Sequence, residues 1–247
     1  MLATTLQQLA GLRLQDEDGH EEILELHPPA TETEIQALED RLPCPLPAEI
    51  RDALRVATGL VNGPLESFSL LDLEGFGLEE AFPHAYSIGA DGFGNFWVLD
   101  LLPSTTTWGP VFYACHDPPV IAYQAIDVEE FLRDVVAMGQ RGARSSVDFV
   151  HEDVVHRIWR ENPDLIPIAA WVASPDVVLR AFAESLPPQA VGIDLRQAKL
   201  GDGFNWGRFG AKTVIRRAGE ARVWALEPPE RKPGLLAKLF GGSRGAA

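Results

Sequence analysis

The sequence predicts an α+β fold: N-terminal helices, an antiparallel sheet and a closing helix, followed by a C-terminal α+β extension. Three observations carry this. Two helical patterns occupy residues 31–59, short apolar runs separated by turn signals fill residues 86–123, and a newly capped amphipathic stretch starts at Asp127. Helices, strands and helix in blocks are the order of an α+β domain, not the strict alternation of a parallel sheet.

Residues 1–27 form an N-terminal extension, a short helix or hairpin with an acidic stretch from Asp16 to Glu25. After Pro28-Pro29, Thr31 and Glu34 make a capping box: the hydroxyl accepts from the Glu34 amide and the carboxylate reaches back to Thr31. Ile35, Leu38 and Leu42 follow at helical spacing. A second helix starts near Pro47, buries Ile50, Leu54 and Ala57, and stops at Gly59. Residues 64–84 read as a long acidic loop carrying Asp72, Glu74, Glu79 and Glu80. Strands are expected at Tyr86 to Ile88, Asn95 to Leu101, Val111 to Ala114 and Val120 to Tyr123. The glycines between Gly89 and Gly94 supply a tight turn that needs positive φ. Asp127 caps the closing helix, with Phe131, Leu132, Val135 and Val136 as its buried stripe.

A polar, glycine-containing link from Gln140 to Ser146 ends the first domain, residues 28–140. Residues 141–229 read as two helices, Val147 to Arg160 and Pro175 to Leu186, then strands at Ala190 to Leu195, Ala211 to Arg216 and Arg222 to Leu226. Residues 230–247 are a basic tail, and the short amphipathic stretch from Lys232 to Phe240 within it suits a partner groove, a membrane surface or the protein's own body.

Charge is divided unevenly. Residues 1–140 hold 5 Lys+Arg against 24 Asp+Glu, a balance of −19, whereas residues 141–247 hold 16 against 12, a balance of +4. Phosphate contacts need clustered Lys and Arg, so the first half is not expected to bind nucleic acid directly. An acidic field suits a basic protein partner, and it also serves solubility alone. With 46% hydrophobic residues the chain is not mostly disordered. No apolar run reaches the roughly 18–20 residues of a membrane span, and Met1 to Leu14 lacks a secretory pattern. Cys44 and Cys115 match no metal spacing and read as reduced thiols in a cytoplasmic protein.

Three stretches together resemble the SMI1/KNR4 (SUKH) family. The first runs from Glu34-Ile35 and Leu38-Glu39 through Leu46-Pro47 to Asn62-Gly63; the second is Ile88-Gly89-Ala90-Asp91-Gly92-Phe93-Gly94-Asn95, leading to an apolar strand that ends at Asp100. The third is Gly109 to Tyr113 with His116-Asp117 and the later Glu130-Phe131-Leu132. Ile50 stands where the family commonly carries tyrosine, before Arg51. The resemblance covers about residues 30–140 and implies an α+β domain that binds protein partners. In bacteria such domains are typically immunity proteins that block toxins, often basic nucleases; in fungi a relative is a regulatory scaffold.

No enzyme motif competes with that reading. His151 and His156 lie five residues apart, about 140° around a helix, where a zinc-protease helix needs four. The glycine run at residues 89–94 precedes no helix that would hold a phosphate. Sequence alone assembles no nucleophile, base and orienting group, so no catalytic residue, metal or cofactor is expected. The expected partner-binding residues are the acids Asp72, Glu74, Glu79, Glu80, Asp91 and Asp100, with Phe93 and Trp108 as aromatic anchors beside turns. The expected partner is a cognate, basic toxin occluded by this surface. A scaffold bridging two other proteins is the alternative.

Overall fold

The structure is a computed structural model that describes residues 1–15, 19–72, 75–105, 108–140 and 145–229. The chain opens with α1 (Leu2–Leu9), which buries Leu2, Leu6 and Leu9 along one stripe. A hairpin follows from β1 (Arg13–Gln15) and β2 (Glu21–Ile23), then β3 (Glu25–Leu26). Helix α2 (Glu32–Glu39) begins on the expected capping box, with both Thr31–Glu34 bonds formed. Helix α3 (Ala48–Leu54) is shorter than its sequence pattern, yet Ile50, Leu54 and the following Ala57 are all buried. β4 (Leu60–Val61) returns to pair with β3.

The main sheet has six antiparallel strands. Five come in chain order: β5 (Ser67–Phe68), β6 (Ala85–Ala90), β7 (Phe96–Leu101), β8 (Trp108–His116) and β9 (Pro119–Ala125). Strand alternation divides the residues of β7 between the two faces. Trp97, Leu99 and Leu101 meet the core built by α1, α2, α3 and α4 (Val128–Met138), whereas Val98 faces the opposite way with Phe112, Ala114 and Ile121. Helix α4 is capped by Asp127 and buries Phe131, Leu132, Val135 and Val136 as its spacing predicts.

The later chain packs on both faces of this sheet. Residues 146–161 form one continuous helical stretch: α5 (Ser146–Phe149), a π-turn (Val150–Val154) and α6 (Val155–Glu161). Its buried residues Val147, Val150, Val154, Val155 and Ile158 join the core of the first helices. Then come β10 (Ile166–Pro167), α7 (Ala169–Val172), α8 (Val177–Glu184) and β11 (Val191–Asp194). β12 (Gly203–Asn205) pairs with β9 and becomes the sixth strand of the main sheet. The sequence predicts no strand at these residues. Gly203 allows the pairing, because a Cβ there would sit 2.1 Å from the Ile121 carbonyl oxygen.

β13 (Val214–Arg217) and β14 (Val223–Glu227) complete a second antiparallel sheet in the order β10-β11-β14-β13. Trp224 of β14 packs on Phe82, Phe112 and Phe204 at ring-centroid distances of 5.1, 5.9 and 5.6 Å. Packing therefore runs across the expected link at 140–146, of which residues 141–144 lie outside the described residues, as does the tail 230–247.

Candidate protein-binding margin

The turn between β6 and β7 is held by one carboxylate. Asp91 Oδ1 accepts from the Phe93 and Asn95 amides at 2.8 and 3.2 Å, and Oδ2 accepts from Asn95 Nδ2 at 2.6 Å and the Tyr113 hydroxyl at 3.4 Å. Asn95 Oδ1 in turn accepts from the His116 amide at 3.0 Å and lies 2.9 Å from His116 Nδ1. Gly92 and Gly94 supply the positive φ angles, 78° and 89°, that this turn requires. Gly89 does not belong to that turn: it lies inside β6, and its missing Cβ would come within 3.1 Å of the Ser67 carbonyl oxygen. The Tyr113 hydroxyl beneath the turn is held far above its ordinary pKa, first by burial and then by Cys115 and Asp91.

The product of this network is Phe93, presented at the tip with 81% of its surface exposed. Its backbone is fixed by hydrogen bonds before any contact forms, so binding through it carries little ordering cost. Asp91, expected to touch a partner, has both oxygens committed to the turn. It positions the aromatic.

Two concavities flank the tip. On one side, Glu66, Ser67, Ser69, Asp72, Ser87 and Phe96 line a groove of about 420 Å³. Ser87 and Phe96 face the same way as Val98, so the groove is the margin of the second sheet face left open beside the C-terminal cover. On the other side, the Phe76–Leu78 segment forms a smaller pocket, about 130 Å³, with Gly94, Phe96, His116 and Trp206. Glu79 accepts from the Gly77 amide at 3.1 Å, which holds it beside that pocket, and Glu80 follows it in the chain, exposed. Asp72 thus lines the first concavity, Glu79 adjoins the second, and Asp91 holds the turn that carries Phe93. Glu74 lies outside the described residues.

Two expected residues do not reach this margin. Asp100 is 0% exposed and is bracketed from the C-terminal sheet: Arg217 bonds it through both guanidinium nitrogens at 2.8 and 2.9 Å, and Arg222 Nε adds a third bond at 3.1 Å. Its place on β7, facing away from the helical core, aims it at the arginines of the cover. Trp108 is 2% exposed and packs in the helical core: strict alternation from Phe112 and Ala114 would send it to the other face, but the register against β7 shifts between Val111 and Trp108 and turns it inward. Both are withdrawn from the surface. Sequence reasoning missed Glu66, Ser67, Ser69, Ser87 and Phe96. The alternation Ser67-Phe68-Ser69, polar on one face and apolar on the other, is the signal that could have found the serines.

The margin shares in the uncompensated negative charge of the first half, as do Glu22, Glu25, Asp40, Glu49 and Asp117, which also appear in no ion pair among the described residues. Arginines of the first half are engaged elsewhere: Arg13 with Glu21, Arg51 with Glu39, Arg55 with Glu32 and Asp52, and Arg133 with Glu129. Arg41 donates to the Leu71 carbonyl at 3.3 Å. Among the described residues, Glu66, Asp72, Glu79 and Glu80 form no ion pair, whereas Asp100 is doubly neutralised.

The arrangement defines a class first: an α+β domain whose first four helices lie against one face of an antiparallel sheet, with an exposed aromatic on a hydrogen-bonded turn and unpaired acids at the margin of the other. Residues 29–134 match the model of the SMI1 / KNR4 family (SUKH-1), and this part of the chain is an SMI1/KNR4 domain. The match ends ahead of the helical stretch 146–161 and the second sheet. Comparison with the curated proteins and with the solved structures returned no match. Among the described residues no helix is long and apolar enough to cross a membrane.

Proposed function

We propose that the chain is a bacterial cytoplasmic immunity protein that captures a basic, nuclease-like toxin and neutralises it by occlusion. The observation that carries this reading is Phe93, exposed at the tip of a hydrogen-bonded turn with unpaired acids nearby. An anchoring aromatic surrounded by polar groups is the arrangement of an interface hot spot. Unpaired carboxylates steer a basic partner toward that tip and lose influence as salt screens them. Family membership supports a protein partner in general terms and is compatible with the immunity role.

The test is affinity capture of the tagged full-length protein from its native cell, at low and moderate salt, beside a Phe93→Ala variant. A single basic, toxin-like protein retained in near-stoichiometric amount by the wild type, and lost by the variant, is the expected result. Several housekeeping or envelope proteins, retained equally by both, would replace immunity with the scaffold reading.

A further inference from the structure

The groove beside the tip is a different kind of surface from the tip itself. Its floor belongs to the sheet margin: Ser67 of β5, Ser87 of β6 and the Phe96 ring of β7, with Ser69 just past the end of β5. Glu66 and Asp72 stand exposed at its rim. Neither carboxylate has a cationic partner among the described residues, and Asp72 has only the Ser69 hydroxyl at 3.4 Å and its own turn. Further along the sheet this same face, including Phe112 and Phe204, is covered by Trp224 and Leu226 of β14. Here the hydroxyls of Ser67, Ser69 and Ser87 stand beside Phe96, and Leu60, Phe68, Ile88 and His27 complete the lining.

We infer that this groove takes an extended, arginine-bearing segment of the partner, presenting arginines at alternate positions. This deepens the immunity reading and rests on it for the partner's identity. Charge selects the sign: two unpaired carboxylates on a domain that is acidic throughout call for a cation. Position selects the backbone. The groove lies at β5, the end strand of the six-stranded sheet, where an added extended segment runs alongside the strands. Such a segment directs every second side chain to one side, roughly 6.6 Å apart, and can place two cations while its backbone runs along the floor. Chemistry selects the residue. A guanidinium stacks on an aromatic ring such as Phe96 and bonds a carboxylate through two N–H groups at once, which an ammonium cannot do.

The experiment uses the full-length chain and fluorescein-labelled probes: Gly-Arg-Ser-Arg-Gly, its lysine counterpart, its aspartate counterpart and a synthetic peptide of residues 230–247. Binding is read by fluorescence anisotropy at about 50 mM and 200 mM salt. The arginine probe is expected to bind several-fold tighter than the lysine probe and to weaken with salt, with no binding of the aspartate probe. A Glu66→Gln, Asp72→Asn variant is expected to lose about tenfold or more in affinity. Ser67→Phe should block the groove while suiting a strand position, so the fold survives. Arginine binding no stronger than lysine binding, or unchanged in both variants, overturns the inference. So does preferential binding of the 230–247 peptide, which would make the chain's own tail the occupant. The two readings separate cleanly. Loss of probe binding with intact toxin capture removes this groove alone, and probe binding without any captured toxin removes the immunity role alone.

Discussion

Asn in place of Asp100 tests whether the C-terminal sheet is locked to the SMI1/KNR4 domain by a buried ion triad. The carboxylate is fully buried, Arg217 is 4% exposed and Arg222 is 19% exposed, so water cannot compensate a lost charge. Three charge-assisted hydrogen bonds converge on it, and the same guanidiniums also reach the carbonyls of Ala81, Glu220 and Gly109. An amide can accept with one oxygen only and turns its NH2 toward a cation. Breaking a buried pair from one side typically costs 3–5 kcal/mol, so Asp100→Asn is expected to cost about 4 kcal/mol, or roughly 8–16 °C in melting temperature for a chain of this size.

Replacing the whole triad with Asp100→Leu, Arg217→Met and Arg222→Met removes the desolvation cost together with the attraction. It should come back to within about 1–2 kcal/mol of wild type. Urea unfolding followed by tryptophan fluorescence reads both variants, because Arg217 stacks 5.0 Å from the Trp224 ring. A single Asp100→Asn variant that loses less than about 1 kcal/mol, the range of an exposed pair, would refute the lock.

Phe93→Ala should leave the melting temperature unchanged, since the ring packs on little of the protein, yet cost about 2 kcal/mol or more in partner affinity by isothermal titration. Reversing Asp72, Glu79 and Glu80 to lysine should slow association in stopped-flow mixing and flatten its salt dependence while leaving circular dichroism intact; unchanged kinetics would move the interface elsewhere. Asp91→Ala is predicted to weaken capture as much as Phe93→Ala because both Asp91 oxygens hold the turn, and hydrogen exchange at the Phe93 and Asn95 amides should rise in that variant. Arg51 and the Leu46 amide hold the Glu39 carboxyl below its ordinary range. A depressed folded pKa stabilises the fold above the unfolded value, near pH 4.3, and that contribution vanishes as pH falls through the folded value. Melting curves of wild type and Glu39→Gln should therefore differ at pH 7 and converge under acid; a constant gap would assign Glu39 a packing role only.

Elements with local signals were legible in the sequence. The Thr31–Glu34 box, the Asp127 cap and the apolar stripe of α4 depend on residues within a few positions of one another, and each appears where its spacing puts it. The tip was legible as a turn, and Phe93 as its exposed aromatic. What the sequence withheld is long-range. Asp91 and Asp100 are both acids of one hairpin, but one ends in a turn network and the other under arginines 117 and 122 positions further along the chain. β12 has three residues, too few for a periodic signal, and its identity comes from β9 beside it. The groove was invisible for the same reason: Ser67 and Ser87 become neighbours only when β5 pairs with β6. The short helix α3 also shows tertiary override, since Ala57 is buried beyond the helix end.

The placement of β12 bears on how such a module can be transplanted. The chain leaves the six-stranded sheet after β9, builds the second sheet as far as β11, and then comes back to lay its last strand beside β9 before finishing β13 and β14. No single cut divides it into two self-sufficient lengths. A graft of residues 29–134 onto another protein would carry a bare β9 edge and an uncovered Phe112, both invitations to pair with whatever chain lies nearest. A recipient would have to bring a strand, an aromatic lid and two arginines of its own, so diversification of this architecture is expected to proceed by substitution at the tip and groove while the two halves are inherited together.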